Sequence, residues 1–232
     1  MSQTQRITVI SSMATKALLA DLKAEFERTH SGIEVHVESV GGVDAAKRVQ
    51  AGEAFDVVAL ASDALERLAA GGHVVADTRV DMVRSDVAVA VPAGTPRPDI
   101  STEEALKAAV LAAPTLGYST GPSGVQLARL FERWGIAEQV APRIVTPPPG
   151  VPVGSLVAKG EVALGFQQRS ELMNVAGIEL LGGMPEAVQI VTIFSASRSA
   201  ASTQAAAVDA FLGFLVSPAT ATIKQRHGMA SA

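Results

Sequence analysis

Three hydroxyls, Ser119, Thr120 and Ser123, fall within the run Ser119-Thr120-Gly121-Pro122-Ser123-Gly124, directly ahead of VQLARLFERW, whose apolar residues recur at helical spacing. The first N–H groups of a helix have no partners inside it and carry a partial positive charge, so such a run can hold an anion with uncharged donors. The same residues also make an ordinary turn, Pro and Gly setting the backbone and a hydroxyl capping the helix. Ser11-Ser12-Met13 and Gly41-Gly42-Val43 stand ahead of two earlier helical patterns, and Val153, in Val151-Pro152-Val153-Gly154-Ser155, opens another. Ser12 can be a plain N-cap and Gly41-Gly42 a tight strand-to-helix turn.

Gln167-Gln168-Arg169 sets two amides beside a guanidinium, a combination whose planar donors and acceptors suit a carboxylate. Arg169 also has an ordinary use, a salt bridge to Glu171. The histidines His30, His36, His73 and His227 are scattered without metal-ligand spacing, so no metal and no cofactor are expected. Gly121-Pro122-Ser123-Gly124 misses the nucleophile elbow, and no phosphate-cradling Gly-rich loop ending in Lys occurs. Asp56, at the start of an apolar strand, reads as a structural hydrogen-bonding group. The acid–base work of an isomerase has Asp44, Glu53 and His36 as possible carriers, and nothing in the pattern selects one.

The elements that must position these groups follow from composition and periodicity. A chain of 232 residues, 48% of them hydrophobic, can bury one large core or two smaller ones. A net charge of -4, one Trp and one Tyr leave neither a basic field nor a stacking platform for nucleic acid. The absence of cysteine excludes disulfides and thiolate sites. Met1-Ser2-Gln3-Thr4-Gln5-Arg6 leads at once into a short apolar stretch, without the basic region, long apolar run or cleavage site of a secretory signal. The expectation is a cytoplasmic chain, or a periplasmic one whose leader has been removed.

Ile7 to Ile10 reads as a strand, and Leu18, Leu22 and Phe26, spaced by four, as a helix over 17–29. Residues 33–40 alternate as a strand, 44–51 read as a helix, 55–60 as a strand buried on both faces, and 64–70 as a helix stopped by Gly71-Gly72. A strand over 82–91 meets the Pro-rich break at 92–98, where a new unit is expected to begin. The same alternation resumes: helix 102–112 capped by Ser101 or Thr102, strand 115–119, helix 125–135, a Pro-rich loop at 146–150, helix 153–159 and strand 162–166. A strand over 187–196 and helices over 204–215 and 218–225 complete the chain. Repeated β-α alternation predicts parallel sheets covered by helices.

The phrases ITVISSMATKALLADLKAEFERTH, IEVHVESVGG and VQAGEAFDVVALASDALERLAAGG, with Gly160-Glu161-Val162-Ala163-Leu164-Gly165-Phe166 further on, together resemble the ModA-like molybdate-binding family of the type II periplasmic solute-binding superfamily. The resemblance runs along roughly the whole chain, in order. It implies an α/β, two-lobed periplasmic-binding-protein-like fold, each lobe a mainly parallel sheet flanked by helices, joined by two crossing strands. Lobe 1 is expected over 1–83 and 196–232, and lobe 2 over 84–195. A ligand then sits between the lobes on donors at helix starts: Ser11, Ser12, Met13, Gly42, Val43, Ser119, Thr120, Ser123, Gly124 and Val153. Arg84 falls on a crossing strand, as a carboxylate clamp or as a partner of Asp81 or Asp86.

Two departures redirect the ligand assignment. The family usually carries Ser where this chain has Gly42-Val43, and Asp44, itself a good N-cap, brings a negative charge to that helix start. Gln168 occupies the position where the family often closes a Tyr on its oxyanion, with Arg169 beside it. The expected function is a solute-binding protein for a small oxyanion or carboxylate, serving an ABC permease without inserting in the membrane. The alternative is an isomerase-like enzyme or a ligand sensor using the same site.

Overall fold

The computed structural model describes residues 4–148 and 151–232; the Met1-Ser2-Gln3 start and the Pro149-Gly150 end of the Pro-rich loop lie outside the described residues. The chain divides into two compact units, Met1–Arg84 with Ile193–Ala232, and Ser85–Thr192. Through the first unit run β1 (Gln5–Ser12), α1 (Lys16–Thr29), β2 (Ile33–Val40), α2 (Gly42–Gln50), β3 (Val57–Ala61), α3 (Ser62–Ala70) and the first part of β4 (Val80–Pro92). The second unit continues with α4 (Glu103–Ala112), β5 (Leu116–Tyr118), α5 (Pro122–Arg133), α6 (Ala137–Val140), β6 (Ile144–Val145), α7 (Val153–Ala158), β7 (Leu164–Gln168), α8 (Arg169–Leu172) and β8 (Ile178–Gly183). β9 (Val191–Arg198) returns to the first unit, which α9 (Ala205–Leu215), α10 (Ala221–Arg226) and β10 (Met229–Ser231) complete.

The strand order in the first unit is β2-β1-β3-β9-β4, with β10 also on β4. β1 runs parallel to β2, with Ser11 opposite Ser39, and parallel to β3, with Ser11 opposite Ala59, so all three strands end at one edge. β9 is antiparallel to β3. The continuous apolar run in β3 is explained by burial on both faces: Val57 and Ala59 join Ile7, Val9, Leu22, Phe26 and Phe211, whereas Val58 and Leu60 join Ile10, Val49, Leu65 and Leu68. Phe26 and Phe211 meet edge to face at 5.0 Å, so α9 closes the core that α1 opens.

In the second unit the order is β4-β7-β5-β6, with β8 on the other edge of β4. β5 is parallel to β6 and β7, so these also share a carboxyl edge. Val87, Val89, Leu116 and Phe166 pack one face under Leu106, Leu127 and Phe131, while the opposite face carries Ala88, Ala90, Val153, Val157 and Leu172. Small residues bring α7 onto the sheet backbone: a Cβ on Gly165 would come within 2.5 Å of the Val157 side chain.

The Pro-rich stretch from Pro92 to Pro98 lies inside the second unit, and the passage between units falls within the continuous strands β4 and β9. A strand buried on both sides of the passage gives no compositional break there. α5 begins at Pro122 rather than Val125, and α2 at Gly42 rather than Asp44, because Pro at the first helical position costs no hydrogen bond and Gly tolerates the helix start. β6, β8 and β10 were not anticipated; they are two to six residues long and lack a clean apolar alternation. Thr102 caps α4 as expected, its Oγ1 accepting from the Ala105 N–H at 3.1 Å. Among the described residues no single helix is long and apolar enough to cross a membrane.

Candidate functional site

At the carboxyl edge of the first unit, parallel pairing carries β1 directly into the turn before α1 and β2 into the turn before α2. Ser12 and Gly42 are neighbours there: a Cβ on Gly42 would lie 3.7 Å from that of Ser12. Ser12 is buried, yet its hydroxyl caps no helix and approaches only the Thr15 hydroxyl, at 3.5 Å. The plain N-cap reading of Ser12 is therefore not realised. Ser11 is committed internally, 2.6 Å from the Ser39 hydroxyl and 3.4 Å from the Glu38 carbonyl. Met13 is half-buried and Val43 exposed. Asp44 is not the cap: Gly41 holds that position, and Asp44 sits exposed in the first turn of α2.

The matching edge of the second unit gathers Ser119 and Thr120 after β5, Ser123 and Gly124 in the first turn of α5, Val153 at the start of α7, and Gln168 and Arg169 where β7 passes into α8. No side chain caps α5; its first N–H to find a helical partner is that of Val125, bonded to the Gly121 carbonyl at 3.1 Å. Ser123 and Gly124 are buried, Ser119 is half-buried and Thr120 exposed. At α7 the Gly154 N–H is taken by the Gln167 Oε1 at 3.1 Å and the Ser155 N–H by the Pro152 carbonyl, which leaves Val153 as the donor at that helix start.

Gln168 is 4% exposed; its Nε2 donates to the Thr192 Oγ1 at 2.8 Å, and its Oε1 has no partner among the described residues. Arg169 is half-buried, and its guanidinium meets no acceptor among the described residues; the salt bridge to Glu171 is not formed. Glu171 instead accepts from Gln167 Nε2 at 2.8 Å. Burial pushes the Glu171 carboxyl up to about 7, against the opposing pull of that hydrogen bond. Arg84 is exposed and pairs with neither Asp81 nor Asp86; Asp81 is held by Arg79 at 3.0 Å and by the Ser195 hydroxyl at 2.6 Å. Asp56 is structural, receiving the Thr8 N–H at 2.9 Å and the Ser202 hydroxyl at 2.6 Å.

Two members of this arrangement, Ser39 and Glu171, are absent from the sequence-based set, and Gln167 serves Glu171 and Gly154 rather than a ligand. Ser39 is marked only by its register opposite Ser11. Gln167 and Glu171 are marked by a spacing of four residues across a strand-to-helix junction, a spacing that has a side-chain meaning only once the junction is known. The edge of the first unit supplies uncharged N–H and hydroxyl donors; that of the second unit supplies such donors together with one unpaired guanidinium and one carboxyl without a cation, by itself a set able to bind an anion and to exchange a proton.

A family model described as bacterial extracellular solute-binding protein matches residues 7–230. An aconitate isomerase of Pseudomonas sp. is 35% identical over 231 residues, covering 96% of this chain and 87% of that protein. Among solved structures, the periplasmic molybdate-binding protein of Azotobacter vinelandii is similar with a TM-score of 0.79 at 18% identity, over 97% of this chain and 99% of the other. The sulfate-binding protein of Mycobacterium tuberculosis gives a TM-score of 0.80 at 16% identity, over 98% and 87% of the two chains. A tungstate ABC transporter structure from Geobacter sulfurreducens gives 0.74 at 20% identity, over 97% and 99%. At these identities the structural likenesses establish the fold, that of the type II periplasmic binding proteins.

Proposed function

The chain belongs to the bacterial extracellular solute-binding protein family, and from that premise we propose that it binds a small organic carboxylate, in preference to a tetrahedral oxyanion. The observation that carries this reading is the half-buried, unpaired guanidinium of Arg169 beside the buried Gln168 amide. A guanidinium presents a planar fork that a carboxylate matches with two parallel hydrogen bonds. Ser123 and Val153, in the same unit as Arg169, add uncharged donors, favourable for an anion because the backbone holds them in place before the ligand arrives. Asp44 in the first turn of α2 disfavours a compact dianion at that helix start. In the receptor role the partner is an ABC permease that takes over the ligand.

A second reading, an isomerase acting on an unsaturated carboxylate, is favoured by the relative that shares 35% identity along nearly the whole chain and is an aconitate isomerase. Both readings need the same carboxylate clamp and differ in whether the bound molecule leaves unchanged.

Thermal-shift and calorimetric titration of aconitate, citrate and simpler di- and tricarboxylates against molybdate, tungstate, sulfate and phosphate decides the ligand class. Carboxylates are expected to raise the melting temperature, and Arg169→Lys to lose much of that response. A response to molybdate or tungstate alone rejects the carboxylate assignment.

A further inference from the structure

We propose that Glu171 is the catalytic base and acid of a 1,3-proton shift in an unsaturated carboxylate, with its carboxylate oriented for that step by Gln167. The inference rests on the isomerase reading above. Glu171 lies in α8, two residues after Arg169, and accepts one hydrogen bond from Gln167 Nε2 at 2.8 Å. The other end of that amide accepts the Gly154 N–H at 3.1 Å, which fixes the amide so that its NH2 faces Glu171. Because Gly154 opens α7 next to Val153, the arrangement ties the carboxylate to the same edge that carries the ligand donors.

A base that removes a proton from carbon must be unneutralised by a cation, screened from bulk water and held in place. Glu171 is half-buried beside the buried Gln167, is held by that amide and has no cation on its carboxylate. No ion pair involves it among the described residues, and the elements packed around α8 bring no free cation: β7 reads LGFQQ, α7 reads VGSLVA, the adjoining part of β4, Val87 to Val91, is Val and Ala alone, and the one titratable residue of β8, Glu179, is paired with Arg97. Arg169, on α8 itself, is the nearest cation in sequence, and the Glu171 carboxylate takes its hydrogen bond from Gln167 and not from that guanidinium. Burial holds the carboxyl at about 7, so both protonation states are accessible near neutrality.

The step balances within the pair. The Glu171 carboxylate takes a proton from the saturated carbon flanked by a substrate carboxylate and the double bond. The released C–H electron pair becomes the new C=C, and the old π pair takes the proton back from Glu171 at the far carbon of the allylic triad. Nothing is consumed, and Glu171 ends ionised as it began. In aconitate this shift regenerates the same constitution with the geometry about the double bond free to differ. Negative charge growing on the substrate carboxylate is met by Arg169 and the Gln168 amide.

The test uses the full chain and Glu171→Gln, with aconitate turnover followed by NMR in D2O and citrate binding by calorimetry. Wild type is expected to convert cis- and trans-aconitate and to incorporate deuterium at the allylic carbons, with an ionisation near 7 in the kcat/KM profile. E171Q is expected to lose about 100-fold to 10,000-fold in kcat while binding citrate within about threefold of wild type, the scatter of an uninvolved residue. Gln167→Leu, which removes the hydrogen bond that favours the ionised carboxyl, is expected to move the ionisation to higher pH. E171Q turning over within threefold of wild type overturns the assignment to Glu171 and leaves the isomerase reading standing. Wild type that binds carboxylates without turnover or exchange overturns that reading, and Glu171 loses its role with it.

Discussion

Gly124 lies so close to Ser119 that a Cβ on the glycine would stand 1.6 Å from the serine carbonyl oxygen. The turn ahead of α5 is therefore closed by backbone against backbone, and only hydrogen fits between. Gly121, three residues earlier, has ordinary room, its Cβ position 3.5 Å from the Ser119 hydroxyl at an ordinary φ of -75°. Gly124→Ala is expected to displace the turn and cost about 1–3 kcal/mol or more, lowering the melting temperature by roughly 2–4 °C per kcal/mol at this chain length and weakening the ligand. Gly121→Ala is expected to do much less. Equal melting temperatures for the two variants by calorimetry contradict the close approach.

Ser12 separates ligand binding from stability. Since its hydroxyl caps nothing and makes only the long contact with Thr15, Ser12→Ala is expected to change stability by less than about 0.5 kcal/mol. Carboxylate affinity should fall by about 1–3 kcal/mol, the penalty for a buried ligand atom left unpaired. Titration calorimetry beside urea unfolding checks both parts, and undiminished affinity removes Ser12 from the site.

Asp56 predicts the reverse pattern. Its carboxylate joins β1 to the segment after β9 through the Thr8 N–H, the Thr8 hydroxyl and the Ser202 hydroxyl. Asp56→Ala leaves these donors unpaired and is expected to cost about 2–4 kcal/mol in urea unfolding, with affinity per folded molecule unchanged.

Glu171 makes stability depend on pH in a stated direction. Its folded carboxyl is raised from 4.5 to about 7. Between those values the folded chain retains a proton that the unfolded chain has released, so stability falls as pH rises through the window. The slope is at most about 1.4 kcal/mol per pH unit. Below 4.5 the penalty vanishes, both states being protonated. Glu171→Gln is expected to flatten this contribution and to be more stable than wild type at pH 8; parallel denaturation curves from pH 5 to 8 would contradict it.

Lys224 is 1% exposed in α10 and has no ion pair among the described residues; burial pushes its ammonium down from the usual lysine range. The charged form is thus penalised in the folded state at neutral pH. Lys224→Met keeps most of the volume without the charge and is expected to raise the melting temperature by a few degrees, about 2–4 °C for each kcal/mol gained. A lower melting temperature by scanning calorimetry indicates that the ammonium is productively solvated.

The β-α alternation was legible because each strand and helix carries its own period, the Thr102 cap because it acts three residues away, and Asp56 because a lone carboxylate at the start of an apolar strand needs structural hydrogen bonds, although its partners Thr8 and Ser202 lie far off in sequence. The helix starts were less so: Pro122, Ser123 and Gly124 look like turn residues, yet they form the first turn of α5. The Pro-rich break at Pro92 to Pro98 does not mark the passage between units, because a continuous strand leaves no mark in composition; the bounds 84 and 195 came from the family resemblance, beside the observed Ser85–Thr192. Pairings across the sheet were invisible. Ser11 with Ser39 depends on parallel register, and Gln167 with Gly154 and Glu171 depends on where β7 stops and on α7 resting over it.

The first unit takes an inner strand, β9, and a helical wall from the last forty residues of the chain, Ile193–Ala232. On the ribosome, Ser85–Thr192 emerges as an uninterrupted segment, whereas the flank of β3 and the apolar side of α1 wait until β9 and Phe211 have been made. Termination before β9 leaves the β3 edge and the Phe26 face uncovered together, and termination between β9 and Phe211 leaves the Phe26 face alone. Nascent chains stalled there are the ones that chaperones would have to shelter.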